Sequence, residues 1–251
     1  MRIFIVLLLA FTACACATRK SDVKALWLPA SQDAWSNVPP EGLKLKRKDG
    51  SAVLVPEEVI HNVVTVKHAL EQTSRVHADL ALVEMDSPNA LAFEYQGRPV
   101  IALSLTWLDR LGMDVDALAT TVGHELAHVE LGHTSAARQK RDDAATGTSQ
   151  VLGTVLNLAG VPMGGTIASL GVAAYARSFT RDEERAADDL GLRWAVETGY
   201  DPCGRFRTMQ MYRSLQASGI DLPFLSTHPG AAERSDLAND YSLKLDARAC
   251  K

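Results

Sequence analysis

The chain has 251 residues, 47% of them hydrophobic and 22% charged, with a formal net charge of −4. This is enough apolar material for one substantial core and excludes a disordered chain. The slight acidity, with no basic stripe beyond Lys44-Leu45-Lys46-Arg47-Lys48, excludes a nucleic-acid-binding protein, so no nucleic-acid partner is expected.

The first residues, MRIFIVLLLAFTACACATRK, set one positive charge at Arg2 before a nine-residue apolar run from Ile3 to Phe11, followed by small residues. The run is too short to span a bilayer and has the form of an export signal over residues 1–17. Phe11-Thr12-Ala13-Cys14 resembles a bacterial lipobox, with Phe11 in place of the usual leucine. On that reading Cys14 is lipidated and anchors the mature protein to a membrane. Cleavage after Ala15-Cys16-Ala17 is the alternative and would leave a soluble exported protein. Cys203 and Cys250 remain in the mature chain. Export to an oxidising compartment favours a disulfide between them, with two free thiols as the alternative.

Residues 18–42 place Pro29, Pro39 and Pro40 among polar residues without periodicity, as in a tether or loosely packed lead-in. The remaining residues, 43–251, are expected to form one domain. LKLKRKDGSAVLV (43–55) alternates and turns at Asp49-Gly50, which predicts a hairpin. Pro56-Glu57-Glu58 opens a helix, with acids near its positive end and apolar residues at Val59, Val63, Val66 and Leu70. His61, His68 and His77, in or near it, read as ordinary surface or core histidines. DLALVEM (79–85) predicts a strand, and ALAFEY and PVIALSL around Gln96-Gly97 predict a second hairpin. A helix capped by Asp114 follows. Residues 151–176 carry no charge for 26 residues, long enough to span a membrane. Pro162-Met163-Gly164-Gly165 interrupts that stretch and small residues dominate it, so two short helices over the active-site side are expected instead. Further helices are expected over 181–198, over 202–216 and after Pro229. The expected fold class is α+β, mainly helical with a small antiparallel sheet.

TTVGHELAHVELGH (120–133) carries the chemistry. His124 and His128 are four apart, so on a helix they lie on one face, one turn apart, and both imidazoles can reach one ion. Glu125 lies on the adjoining edge, placed to touch water rather than the ion. This H-E-x-x-H pattern is the zinc-peptidase signature, with the glutamate as general base. Catalytic zinc takes three protein ligands and keeps one open position. A metzincin would supply glycine at 131 and histidine at 134, where this chain has Leu131 and Thr134, so the third ligand must come from elsewhere. RDEERAADDLG (181–191) is the best candidate, because Glu184 and Asp188 share a helical face. Glu184 would complete the set, and Asp188 could accept a proton from the distal nitrogen of a ligating histidine. Glu183 competes with Glu184, but one residue of shift rotates it off the Asp188 face. His133 receives no ligand role, since five residues after His128 it has rotated off the metal face.

HELAHVELGH, then E-x-x-A-D from Glu184 to Asp188, then STHPGAAER (226–234) resemble, in that order, the gluzincin peptidase family typified by HtpX, BepA and the CAAX prenyl endopeptidases. The three motifs span about 110 residues, and weaker agreement extends from about residue 43 to 240. The resemblance is to a secreted or lipoprotein branch, because the one long apolar segment is broken. It implies a zincin-type peptidase domain holding one Zn2+ on His124, His128 and Glu184, with Glu125 activating water and Asp188 behind the ligands. It makes His228, the histidine of the family's T-H-P motif, a candidate oxyanion donor. It leaves Arg234 to hold that loop or to pair with a nearby acid. If the His228 loop swings inward, its imidazole could instead take the fourth zinc position and leave the enzyme latent.

These readings imply an exported, lipid-anchored zinc endopeptidase on the periplasmic side of a bacterial envelope, as an outer-membrane lipoprotein. Its expected partners are unfolded or misassembled envelope proteins. A non-cleaving, chaperone-like zinc lipoprotein is the alternative. An extended substrate is expected to add to the strand PVIALSL through its main chain. Only a short stretch follows the third motif, so no adaptor repeat is expected beyond it.

Overall fold

Hydrophobic alternation in four strands builds a sheet with two buried faces. The computed structural model describes residues 23–28, 32–47, 49–134, 179–220, 222, 228, 231–246 and 249–250. Strands β1 (Val23–Trp27), β4 (Asp79–Met85), β5 (Ala90–Tyr95) and β6 (Arg98–Ser104) form the sheet, in the order β1-β4-β6-β5. Strands β2 (Leu43–Lys46) and β3 (Ala52–Val55) pair separately as an antiparallel hairpin. Leu80 and Leu82 on β4, Ala90 and Ala92 on β5, and Ile101 and Leu103 on β6 join the main core. Their alternate neighbours Ala81, Val83, Leu91, Phe93, Val100 and Ala102 form a second buried cluster. This is the period-two pattern of a strand applied to both faces.

The α+β class holds, with a correction to the sheet. A small antiparallel sheet was expected, and β1 with β4 and β5 with β6 pair so, but β4 and β6 pair in parallel, Leu80 opposite Ile101 and Leu82 opposite Leu103. After β4 the chain skips one strand position to lay down β5. The Gln96-Gly97 turn then returns β6 into the gap, which leaves β6 running the same way as β4. β6 is therefore interior, paired on both sides, with Ala102 fully buried. Substrate cannot add to it as expected. β5 and β1 are the edge strands of this sheet among the described residues. A second difference lies in the expected lead-in: Ala25, Leu26 and Trp27 are buried in β1, and Trp35 donates its indole N–H to the Leu80 carbonyl at 3.0 Å. The uncharged stretch 151–176 and the export signal fall outside the described residues. Among the described residues no helix is long and apolar enough to cross a membrane.

Six helices are described: α1 (Glu57–Ser74), α2 (Leu105–Leu111), α3 (Val115–Glu130), α4 (Arg181–Glu197), α5 (Cys203–Ala217) and α6 (Ala231–Asp246). α2 was not foreseen. It is a short helix capped by Ser104, whose hydroxyl accepts from Trp107 N–H, and it separates β6 from α3. α3 is the central element, buried at every position from Ala117 to His128. A helix buried all round suits a core position, and its many small residues let neighbours approach. The Asp114 cap is present, its carboxylate accepting from Ala117 N–H at 3.0 Å. Arg207 on α5 grips the same carboxylate at 2.6 and 2.8 Å, tying α5 to the start of α3.

α3 and α4 cross where Gly123 faces Gly191. A β-carbon built on Gly123 would lie 2.7 Å from the Gly191 carbonyl oxygen, and one on Gly191 would lie 2.6 Å from the Gly123 carbonyl carbon. Only glycine permits this approach. Replacing Gly191 by Ala must push α4 off α3, and overpacking of this kind costs about 1–3 kcal/mol. The Gly191→Ala protein is expected to melt lower and to bind zinc more weakly than the parent, as read by thermal denaturation and chelator competition. Unchanged zinc affinity would mean that this crossing does not set the site.

A second expectation concerns acid. Burial pushes the Asp114 carboxyl up, but Arg207 and the Ala117 N–H outweigh it and hold the group below its usual range. A carboxyl depressed in the folded state contributes stability above its unfolded value, near 4, and loses it as pH falls through the folded value. Asp114→Asn keeps a capping oxygen and removes the charge. Urea unfolding of the metal-free protein at pH 7 and pH 3 should show a smaller acid loss in the variant, and equal losses would refute the assignment.

Candidate metal centre

Three elements deliver the candidate ligands. α3 presents His124, Glu125 and His128. α4 presents Glu184 and Asp188 on one face, one turn apart. His228 arrives from the segment before α6. All six are buried. The N-terminus of α4 decides between the two glutamates. Thr180 and Glu183 form a capping box, Glu183 accepting from Thr180 N–H at 2.8 Å and donating its own N–H to the Thr180 hydroxyl at 3.2 Å. Glu183 therefore turns back to the helix start, and Glu184 faces α3.

One atom from each of His124, His128, Glu184 and His228 lies within 4.8 Å of the others. His124 Nε2 is 3.1 Å from His128 Nε2 and 3.5 Å from Glu184 Oε2. His128 Nε2 is 3.2 Å from Glu184 Oε1, and His228 Nδ1 lies 2.9 Å from Glu184 Oε1 and 3.4 Å from His124 Nε2. A tetrahedral zinc with bonds of about 2.0–2.1 Å has ligand-to-ligand edges of roughly 3.3–3.4 Å. The observed separations match that spacing, and imidazoles with a carboxylate are the donor set that zinc takes. Both oxygens of Glu125 are buried without a hydrogen bond among the described residues. A carboxylate left so is costly unless a ligand or substrate serves it. The residues present fit a zinc ion.

Behind the cluster, Asp188 Oδ1 lies 2.8 Å from His124 Nδ1, as foreseen for a carboxylate that fixes a ligand's tautomer. Arg234 pairs with an acid as expected, and in fact with two: its Nε is 2.7 Å from Asp188 Oδ2, and its Nη1 is 3.0 Å from Glu184 Oε2. Arg205 on α5, which the sequence reading passed over, is fully enclosed. It donates to the Thr120 carbonyl at 2.6 Å and lies 3.4 Å from Asp188 Oδ1. A residue in an arginine-rich helix start carries no sequence mark of such a role. Phe179 was missed as well; it stacks on the His128 ring at 3.9 Å between centroids.

Burial dominates the electrostatics. It pushes Glu125 up to about 7 and His128 down to about 4, and it drives His124 well below the usual imidazole range. Both histidines thus favour the neutral form that ligates metal. Burial alone would raise Glu184 too, but His228, His124 and Arg234 around it hold that carboxyl well below its usual range. Cys203 and Cys250, the pair foreseen, are bonded, with Cα atoms 5.3 Å apart. Cys14 falls outside the described residues.

A central helix bearing His-Glu-x-x-His, with glutamate delivered from a second helix, is the arrangement of a zinc metallopeptidase. The chain belongs to peptidase family M48, whose profile matches residues 57–240. It is similar to the beta-barrel assembly-enhancing protease of Escherichia coli K12, 29% identical over 164 residues, which cover 61% of this chain and 32% of that protein. The protein of the same name from Yersinia pestis is 30% identical over 155 residues, covering 59% of this chain and 31% of its own length. The matched region thus spans about a third of these relatives.

Arg234 offsets two buried carboxylates, so removing it leaves charge without compensation, at a cost of about 3–5 kcal/mol. Chemical denaturation of the metal-free Arg234→Met protein is expected to show a loss of that order. Asp188→Asn in the same chain should recover part of it. A variant as stable as the parent would show that the arginine does not balance the site.

Proposed function

We propose that the chain is a zinc-dependent endopeptidase of the bacterial envelope, and that His124, His128 and Glu184 hold the ion. The observation that carries this is the convergence of those three side chains at zinc spacing, beside a buried Glu125 whose oxygens have no hydrogen bond among the described residues. Bound zinc supplies Lewis acidity toward water and the scissile carbonyl. Glu125 takes the proton of the attacking water and returns it to the leaving amine. Asp188 holds His124 through Nδ1, and His228, His124 and Arg234 together favour the ionised form of Glu184.

His228 bears on a second reading. Its distances to His124 and Glu184 favour the fourth ligand position over an oxyanion donor standing off the metal. Four protein ligands close a zinc site, which suits either a latent peptidase or a non-cleaving zinc protein. The Glu125 carboxylate, unbonded among the described residues, favours latency, since a structural site has no use for a base. The substrate class, unfolded or misassembled envelope proteins, draws support from the export-type N-terminus and from relatives named for β-barrel assembly. Membrane attachment through Cys14 completes the proposal.

Cleavage of unfolded casein by the zinc-loaded protein, beside Glu125→Gln at equal metal content, tests it. The variant is expected to be about 10²–10⁴-fold slower. If neither protein cuts, His228→Ala decides: activity there supports latency, and continued inertness with zinc bound removes the peptidase reading.

A further inference from the structure

We propose that His133 is a positioning residue for the metal centre: its ring accepts the Nδ1 proton of His128 and so holds the tautomer and ring orientation that turn His128 Nε2 toward Glu184 and His124. The inference rests on the reading of His128 as a ligand.

The two ring nitrogens of His133 and His128 that face each other are both Nδ1, 2.9 Å apart. One must donate and the other accept. His128 Nε2 is the atom that faces His124 and Glu184, at 3.1 and 3.2 Å, and a ligating nitrogen needs its lone pair. The single proton of a neutral His128 therefore sits on Nδ1. His133 accepts it with the Nδ1 lone pair and keeps its own proton on Nε2. The two histidines on α3 are thus served differently: His124 Nδ1 meets the Asp188 carboxylate at 2.8 Å, and His128 Nδ1 meets an imidazole.

Phe179 leaves His133 with this task. Phe179 stacks on His128 with an interplanar angle of 20°, which fixes the plane of the imidazole. Stacking is indifferent to a half-turn of the ring within that plane, which would exchange the nitrogen facing the cluster for carbon. A hydrogen bond from Nδ1 distinguishes the two states.

The end of α3 explains how a residue five places after His128 comes back to it. Gly132 adopts φ +71°, in the left-handed region, and Gly132 N–H bonds the Val129 carbonyl at 3.0 Å while His133 N–H bonds the His128 carbonyl at 2.9 Å. This pair of bonds is the Schellman ending, in which the residue after the left-handed glycine folds back over the last turn. Had the helix continued, His133 would point away. The ending brings both its backbone and its ring to His128.

Three variants test the proposal at one neutral pH, with zinc affinity read by chelator competition and the melting temperature read without metal. His133→Phe keeps a ring of similar shape and removes the acceptor. It is expected to bind zinc about 10–100-fold more weakly, the usual cost of losing a partner behind a ligand. His133→Asn places an acceptor oxygen near the Nδ1 position and should restore most of that loss, with the metal-free melting temperature of both proteins matching the parent. Zinc binding by His133→Phe as tight as the parent's would overturn the inference. So would an Asn variant as weak as the Phe one, or weakening that tracks a fall in metal-free stability. His128→Ala separates the levels: if it keeps full zinc affinity, the ligand reading itself fails. If it loses zinc while His133→Phe does not, only the role of His133 is lost.

Discussion

The approach of α3 to α4 at Gly123 and Gly191 governs the geometry of everything built on those helices. Backbones that come too close for a β-carbon between them leave little slack for one helix to slide or rotate against the other. Asp188 lies three residues before Gly191 and Glu184 seven before it, so the crossing point fixes how far along α4 each carboxylate stands, at about 1.5 Å per residue. On the other helix His124 follows Gly123 directly. The distances of 2.8 Å from Asp188 to His124 and 3.2 Å from Glu184 to His128 follow from two glycines and helical periodicity. The helices act as rulers, and the glycines set where the rulers meet.

A centre this deeply buried also has to balance its charge. Glu184 and Asp188 bring two negative charges where water is excluded, and Arg234 and Arg205 bring two positive ones. The arginines come from α5 and α6, and Arg234 reaches past the carboxylates to the His124 ring, its Nη2 3.2 Å from Nδ1 and 3.1 Å from Nε2. Glu125 stands outside this balance, with its acidity weakened by burial. A divalent cation in the cluster would add charge that favours the ionised form of Glu125.

Much of the centre was legible because its parts obey single-helix periodicity. His124 with His128, and Glu184 with Asp188, are four-residue spacings readable without any tertiary knowledge. The elements around them were legible too, since Asp114, Pro56 and the two turn pairs carry local chemistry. What escaped depends on relations between segments. The place of β6 inside the sheet follows from the order in which strands were laid down, and an isolated hairpin sequence is silent on that. Arg205 became a partner of Asp188 because α5 packs on α3. His133 stays out of the four-residue cluster, as expected, but its return to the His128 ring was not foreseen: extending the helix beyond Leu131 ignored Gly132, although glycine after the last periodic residue is the ordinary stop signal. The N-terminal strand β1 was hidden by its short apolar run, Ala25 to Leu28, set among prolines and charges.

The bond between Cys203 and Cys250 encloses 47 residues of sequence separation, and His228, Arg234 and the whole of α6 lie inside that ring. In the chain-entropy picture, closing a loop of this size removes about 4 kcal/mol of freedom from the unfolded ensemble, though part of such stabilisation has also been assigned to enthalpy. Locally the effect is one of tethering. Should α6 lift from the rest, the guanidinium it carries and the imidazole of His228 before it cannot diffuse beyond the contour of the ring, anchored two residues from Arg205. Re-docking is then a short intramolecular search at high local concentration. The side of the centre built last in sequence thus stays tethered to α5.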